Sequence, residues 1–257
     1  MDVRQILLDT ESTLRDFVSM IMEQQHGEDW IHNSGLSSER IRLLEEEKDA
    51  NDERKISIQD ENRLINNTNI IDLKTIISKN WTGDFEVAFG DWDTLSIYLS
   101  TLYRYYDPDS HQRALLTHQK HLILGISGFI RNRIVVYRSW KEGNKKGFPK
   151  IESVRDNLGN IWVPGKPKKI KTGLTLHPGD TLEFVITGKD PKDQDLSYRI
   201  YPSKWSTNNV QLIELTEKHI GSQTVFHIGI RGPQKHHAYP LGHDDRVTFE
   251  YEVLPND

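Results

Sequence analysis

Arg104 and His111 are separated by the six residues Tyr105-Tyr106-Asp107-Pro108-Asp109-Ser110, and no other stretch offers a stronger site for chemistry. A guanidinium suits bidentate contact with a phosphate. An imidazole can exchange a proton near neutral pH and serve as a general base or acid. Proline disfavours helix at the residue before it and is itself favoured at the first helical position, so Asp107 is a good cap and Pro108 a good first residue. On that reading His111 falls in the first or second turn of a long helix. The free amides and positive dipole end there favour an anion and keep the imidazole neutral. Arg104 and the helix terminus can then hold an RNA phosphate while His111 deprotonates a ribose 2′-hydroxyl, with developing charge met by the same donors. Asp107 orients the pair, Tyr106 and Arg113 support it, and no metal or other cofactor is required. The plainer reading is that His111 is a surface helix residue and that Arg104 pairs with Asp107 or Asp109.

Helices must position these residues. Val3, Ile6, Leu7, Leu14, Phe17, Val18, Ile21 and Met22 recur at three- and four-residue spacing, a single apolar stripe that Gly27 ends. Ser37 or Ser38 can cap a second helix through Ile41 and Leu44. The charge-dense segment 45–61 reads as a solvated helix end or a loop. Helical spacing returns at Ile70, Ile71, Leu73, Ile76 and Ile77, followed by Trp81, Phe85 and Phe89 between the breaks Gly83 and Gly90. A short helix from about Asp93 to Arg104 carries Leu95, Leu99 and Leu102 on one side. The helix after Pro108 is expected to reach Trp140 through Leu115, Leu122, Ile126, Phe129, Ile130 and Val135. Gly125 and Gly128 inside it each disfavour helix by up to ~1 kcal/mol against alanine, so close packing or a bend is expected there.

The texture changes near residue 141. Gly143, Gly147, Pro149 and four lysines (Lys141, Lys145, Lys146, Lys150) mark a linker over 141–150. Period-two patterns follow in Leu182-Phe184-Ile186, Leu196-Tyr198-Ile200, Val225 to Ile230, and Val247-Phe249-Tyr251-Val253. Turn signals at Pro178-Gly179, Asp190-Pro191, Gly221-Ser222 and Gly232-Pro233 separate them. Short strands at this spacing predict an antiparallel β-sandwich of immunoglobulin-like architecture. The expected organisation is α+β: an all-helical domain over 1–140, the linker, and the sandwich over 151–257.

Bulk properties narrow the classes. The formal charge of −5 is mild and does not advertise a polyanion partner, although a local patch can still bind one. The absence of cysteine removes disulfides, thiolate zinc sites and cysteine nucleophiles. No window approaches the ~18 apolar residues needed to span a bilayer, and the N-terminal stretch lacks the apolar core of a signal peptide, so a cytoplasmic protein of prokaryotic type is expected.

Three further constellations stand out. Residues 138–171 hold ten Lys or Arg against Glu142, Glu152 and Asp156, a local net of +7. That run can guide RNA, with Arg131, Lys145, Lys146, Lys168 and Lys169 as phosphate contacts and Trp140 or Trp162 stacking on a base. An interdomain surface is the alternative. Asp190, Asp193 and Asp195 can be pictured around calcium, faintly as in cadherin-like sandwiches, but read more simply as a polar hairpin turn. His236, His237, His243, Asp244 and Asp245 form a loop whose spacing matches no specific metal site.

An arginine, four to six intervening residues and a histidine, set between the last two helices of a helical bundle, resemble the HEPN superfamily. Leu14-Arg15-Asp16, Asp72-Leu73 to Trp81, and Asp107-Pro108-Asp109-Ser110-His111 leading into Gln119-Lys120-His121-Leu122 look similar to a bacterial branch of it, over roughly residues 1–140. The chain departs from the family in one place: Tyr105 and Tyr106, where a polar residue is common, follow Arg104. A second pair, Arg131-Asn132, has no histidine at the required spacing and is expected to be structural or a phosphate contact. The resemblance implies a metal-independent endoribonuclease of an antiphage-defence or toxin system, with Arg104 and His111 as the catalytic pair of a composite site in a homodimer. RNA is then the substrate, and the sandwich recognises a partner, trigger or substrate. The competing expectation is a non-catalytic dimerisation and interaction protein whose sandwich binds a protein ligand.

Overall fold

The apolar stripe of the first 22 residues folds as expected into α1 (Val3–His26), and Gly27, at a positive φ of 78°, ends it by donating its amide to Glu23. The computed structural model describes residues 3–52, 64–105, 115–141 and 147–256. After α1 come α2 (Ser38–Asp52), α3 (Ile70–Lys79), α4 (Asp84–Phe89), α5 (Trp92–Tyr105) and α6 (Thr117–Lys141). The chain divides into two compact units, Met1–Tyr137 and Arg138–Asp257.

The first unit is built on one apolar core. Leu14, Val18 and Ile21 of α1 share it with Leu73 and Ile77 of α3, Leu99 and Leu102 of α5, and Ile123, Ile130 and Ile134 of α6. Phe17 is a hub, meeting Phe85, Phe89 and Tyr137 edge-on with ring centroids at 6.1, 5.6 and 5.3 Å. Such edge contacts add to the burial of large rings.

Helix starts are fixed by polar side chains. Ser37 Oγ accepts from the Arg40 amide at the head of α2. At the head of α3, Asn69 Oδ1 accepts from the Ile71 and Asp72 amides while Asp72 accepts from the Asn69 amide, a reciprocal capping box. The same Asp72 carboxylate takes a bidentate pair from Arg40 at 3.0 and 2.8 Å, which ties α2 to α3. Among the described residues nothing lies within 4 Å of where a Cβ would stand at Gly125 or Gly128, so none of these supplies the close neighbour that was one of the two expectations there.

The second unit holds β1 (Lys150–Asp156), β2 (Ile161–Trp162), β3 (Lys169–Leu176), β4 (Thr181–Lys189), β5 (Ser197–Ile200), β6 (Val210–Glu214), β7 (Gly221–Arg231) and β8 (Asp245–Val253). They form two four-stranded sheets, β2-β1-β4-β6 and β3-β8-β7-β5. β3 runs parallel to β8 (Lys169 opposite Thr248), so the second sheet is mixed and the all-antiparallel expectation is corrected. Alternation identifies a strand but not the direction of its partner. Alternate residues turn inward from both sheets into one core: Val154, Phe184 and Ile186 from the first, Phe226, Ile228, Phe249 and Tyr251 from the second. Phe184 and Phe249 meet across it at 5.2 Å.

Several cations of the 138–171 run are spent inside this unit. Lys150 is fully buried and Arg138 is 5% exposed. Arg138 Nη1 donates to the Ile151 carbonyl at 2.9 Å, and the Ile151 amide donates to Asp245 Oδ2 at 2.9 Å. Asp245 Oδ1 accepts from Lys168 Nζ at 2.5 Å. Burial pushes the Asp245 carboxyl up, but Lys168, Lys150 and Arg138 outweigh it and hold the group below the ordinary carboxylate range. The run is thus partly an interior charge cluster rather than a continuous basic surface. Trp162 is buried, its Nε1 donating to the Pro167 carbonyl, so its expected role in stacking on a base is corrected, whereas Trp140 is exposed.

Candidate functional site

The apolar residues of α5 dictate where Arg104 stands. Leu95, Leu99 and Leu102 are buried, which leaves Arg104 exposed in the last turn, where the negative end of the helix dipole favours a cation. Its expected partners His111, Tyr106, Asp107 and Arg113 lie outside the described residues, as do Lys145 and Lys146. The helix start nearby is described and differs from expectation. Leu115 and Leu116 are non-helical, α6 begins at Thr117, and Gln119 Oε1 accepts from the Leu116 amide at 2.9 Å. α6 thus does not extend back to the 107–111 segment, which itself lies outside the described residues. The first-turn imidazole belongs to exposed His118. Proline at 108 marks where a helix can begin, but a glutamine three residues past Leu116 supplies the reciprocal half of a cap where this one does.

The other expected contacts scatter. Arg131 is half-buried in α6. Lys168 and Lys169 are exposed in the second unit, paired with Asp245 and Glu250 at 2.5 Å each. The Asp190 segment links β4 of one sheet to β5 of the other, so it is a crossover turn rather than a hairpin. Asp190 Oδ1 accepts from the Lys192 and Gln194 amides, and Asp193 pairs with Lys189. In the 231–244 loop, fully buried Asp244 gathers the Gly232 amide (2.8 Å), Gln234 Nε2 (2.9 Å), the Ala238 amide (2.9 Å) and His237 Nδ1 (3.2 Å). Among the described residues no group of three or more His, Cys, Asp or Glu is placed to hold a metal.

The alternation of β7 and β8 creates a site that the sequence did not announce. Phe226, Ile228 and Ile230 turn inward, so Val225, His227, Gly229 and Arg231 face out. Val247, Phe249 and Tyr251 turn inward, so Arg246, Thr248 and Glu250 face out. Arg199 of β5 and Lys169 of β3 extend this outer face. Between them lies a cavity of about 190 Å³ lined by Arg199, Tyr201, His227, Gly229, Leu241, His243 and Arg246. A wider hollow of about 640 Å³ shares His227, His243 and Arg246 with it and adds Lys168, Lys169, Tyr239 and Thr248. No residue lining either space is acidic.

The side chains of this groove are held in place. His227 Nδ1 shares a hydrogen bond with Thr248 Oγ1 at 2.9 Å. The His243 ring stacks on Tyr239 at 4.8 Å, 12° from parallel. Arg199 donates to the Leu241 carbonyl and lies over Trp205 at 4.3 Å, and Arg231 lies over the same indole at 4.5 Å. Burial, then Arg246 and Lys169, push the His227 imidazole below its usual value. Burial, then Arg246 and Arg199, do the same to His243 against the opposing pull of Asp245 and Asp244. Both rings are thereby kept neutral beside permanent cations, able to donate or accept. The signal available in the sequence was positional: these are the polar residues between the apolar ones that mark β7 and β8.

Comparison of the chain with family models, with curated proteins and with solved structures returns no match.

Proposed function

We propose that the first unit is a HEPN-like helical bundle acting as a metal-independent endoribonuclease of a defence or toxin system, and that the second unit is an immunoglobulin-like β-sandwich serving recognition. The observation that carries this reading is the place of Arg104. It is exposed at the end of α5, directly ahead of the chain that carries His111 to α6, whose apolar face completes the helical core. In this reading Arg104 binds and stabilises the scissile phosphate, and His111 is the general base or acid. A homodimer supplies the second half of a composite site. The guanidinium meets the phosphoryl charge as it develops.

The test is cleavage of a mixed tRNA and mRNA pool in EDTA by the wild-type protein, His111→Ala and Arg104→Ala. Cutting lost in both variants, with 2′,3′-cyclic phosphate ends, is the expected result. Equal cutting by all three proteins refutes the assignment. The second reading, a non-catalytic interaction protein, is favoured by the cationic groove of the second unit, whose geometry is complete without the helical unit. On that reading His111→Ala leaves function intact and substitutions in the groove abolish it.

A further inference from the structure

We propose that the outer face of the β3-β8-β7-β5 sheet binds a nucleoside phosphate, with the phosphate held between Arg199 and Arg246 beside His227 and His243, and the base against Tyr239. This site is independent of Arg104 and His111.

The groove gathers permanent cations with no acid in its lining. Lys169 is already paired with Glu250, and Lys168 with Asp245, so those ammonium groups are partly answered. The Arg199 and Arg246 guanidiniums have no carboxylate partner among the described residues, and Arg231 behind Arg199 raises the local potential further, as the depressed Arg199 value reflects after burial. Two guanidinium forks converging on one cavity match a tetrahedral oxyanion, since each can give parallel hydrogen bonds. His227, oriented by Thr248, and His243, oriented by its ring stack, add donors whose geometry is set before a ligand arrives.

Size and shape carry the rest. About 190 Å³ is enough for a phosphate and little more, and the adjoining hollow of about 640 Å³ has room for a larger organic body. That hollow is lined by Tyr239, 40% exposed, whose ring is stacked on one side by His243 and offers an aromatic surface to a base. Gly229 also lines the cavity, and a Cβ there would stand 3.6 Å from Trp205 and 3.7 Å from His243.

The test is isothermal titration of the full chain at low salt with inorganic phosphate, the four nucleoside monophosphates and a five-nucleotide RNA. Binding of mononucleotide or RNA about tenfold or more tighter than phosphate is expected, with Arg246→Gln and Arg199→Gln each weakening it by about tenfold or more. Lys171→Gln, on the same outer face but outside the groove, changes affinity by less than about twofold if the effect is local. Repetition in buffers of different ionisation heat is expected to show proton uptake, because a bound anion favours imidazolium. Stronger binding of the RNA identifies a chain as the source of the nucleotide, and stronger binding of a monophosphate identifies a free ligand. Circular dichroism of each variant confirms that it is folded. Absence of binding by every probe at millimolar concentration overturns the proposal. So does an equal loss in Lys171→Gln and Arg246→Gln, and phosphate binding as tightly as nucleotides overturns the nucleoside part. His111→Ala binds as wild type, so failure here and failure of the nuclease reading are separable.

Discussion

Asp245→Asn is expected to destabilise the second unit by roughly 3–5 kcal/mol, the range for removing one partner from a buried charge cluster. The carboxylate is fully buried, with both oxygens engaged: Oδ2 takes the Ile151 amide at 2.9 Å, and Oδ1 takes Lys168 Nζ at 2.5 Å and the Arg246 amide at 2.9 Å. An asparagine presents one acceptor and one donor, so either amide orientation sets N–H against N–H. An orphaned buried donor alone costs about 1–3 kcal/mol. The charge adds to this, because Lys150 and Arg138 remain interior when their carboxylate is gone. The two contributions overlap and do not simply sum. Hydrogen exchange of the full chain in guanidinium, read separately over β1, β8 and the helices, measures the loss where it belongs. Replacing Lys150 with Met in the Asp245→Asn background should recover part of it. The folded carboxyl is held below its unfolded value of 3.8, so its contribution is present above that pH and lost as pH falls through the folded value. A loss under about 1 kcal/mol, or one shared equally by the helices, would refute the account of a closed charge cluster.

The remaining predictions are compact. Tyr251 Oη donates to Asp156 Oδ2 at 2.5 Å across the core, and Asp156 also takes the Leu158 amide, the Asn160 amide and Asn160 Nδ2. Tyr251→Phe should therefore lower stability by about 1.5–3 kcal/mol in chemical denaturation, nearer the lower figure because three donors stay. His227 and His243 have folded values below 6.5, so their contribution is fully present above that pH and fades as pH falls towards the folded values. The melting temperature of the second unit should drop from about pH 8 to about pH 5, and a bound nucleotide should reverse the trend. Burial sets this sign first, reinforced by Arg246 of β8, Lys169 of β3 and Arg199 of β5, while Asp244 and Asp245 oppose it at His243 and Thr248 faces His227.

The helical half was legible because its signal is redundant. Leu14, Phe17, Val18 and Ile21 repeat one face for several turns, and Gly27 and Gly90 end helices, and Gly83 begins one, in conformations that disfavour a side chain. β4, β7 and β8 were legible for the same reason. β1, β2, β3 and β6 were not. β1 buries Lys150, Glu152 and Asp156 beside Val154, so polarity does not alternate there, β3 exposes most of its residues, and β6 buries none of its own fully. The groove was illegible because it unites β3, β5, β7, β8 and a loop separated by up to eighty residues of chain, and each cation looks ordinary by itself. Arg104 was read from a local motif and stands exposed, while the rest of that motif lies outside the described residues. A proline sets only a preference for where a helix can begin, and the start of α6 at Thr117 is instead marked by Gln119, which accepts from the Leu116 amide.

The pairing of Ile151 with Asp245 joins residues 94 apart in the chain. β8 also supplies the hydrogen-bonding partner of both β3 and β7. During vectorial synthesis the helical unit emerges with its own core complete through Tyr137, but the second unit lacks the Asp245 carboxylate beside Lys150 and Arg138 until β8 is made. A chain interrupted before Asp245 has neither the charge partner nor the central strand of its sheet. The second unit is thus complete or absent, and a truncated product is left exposed to proteases as an unfolded tail on a folded head.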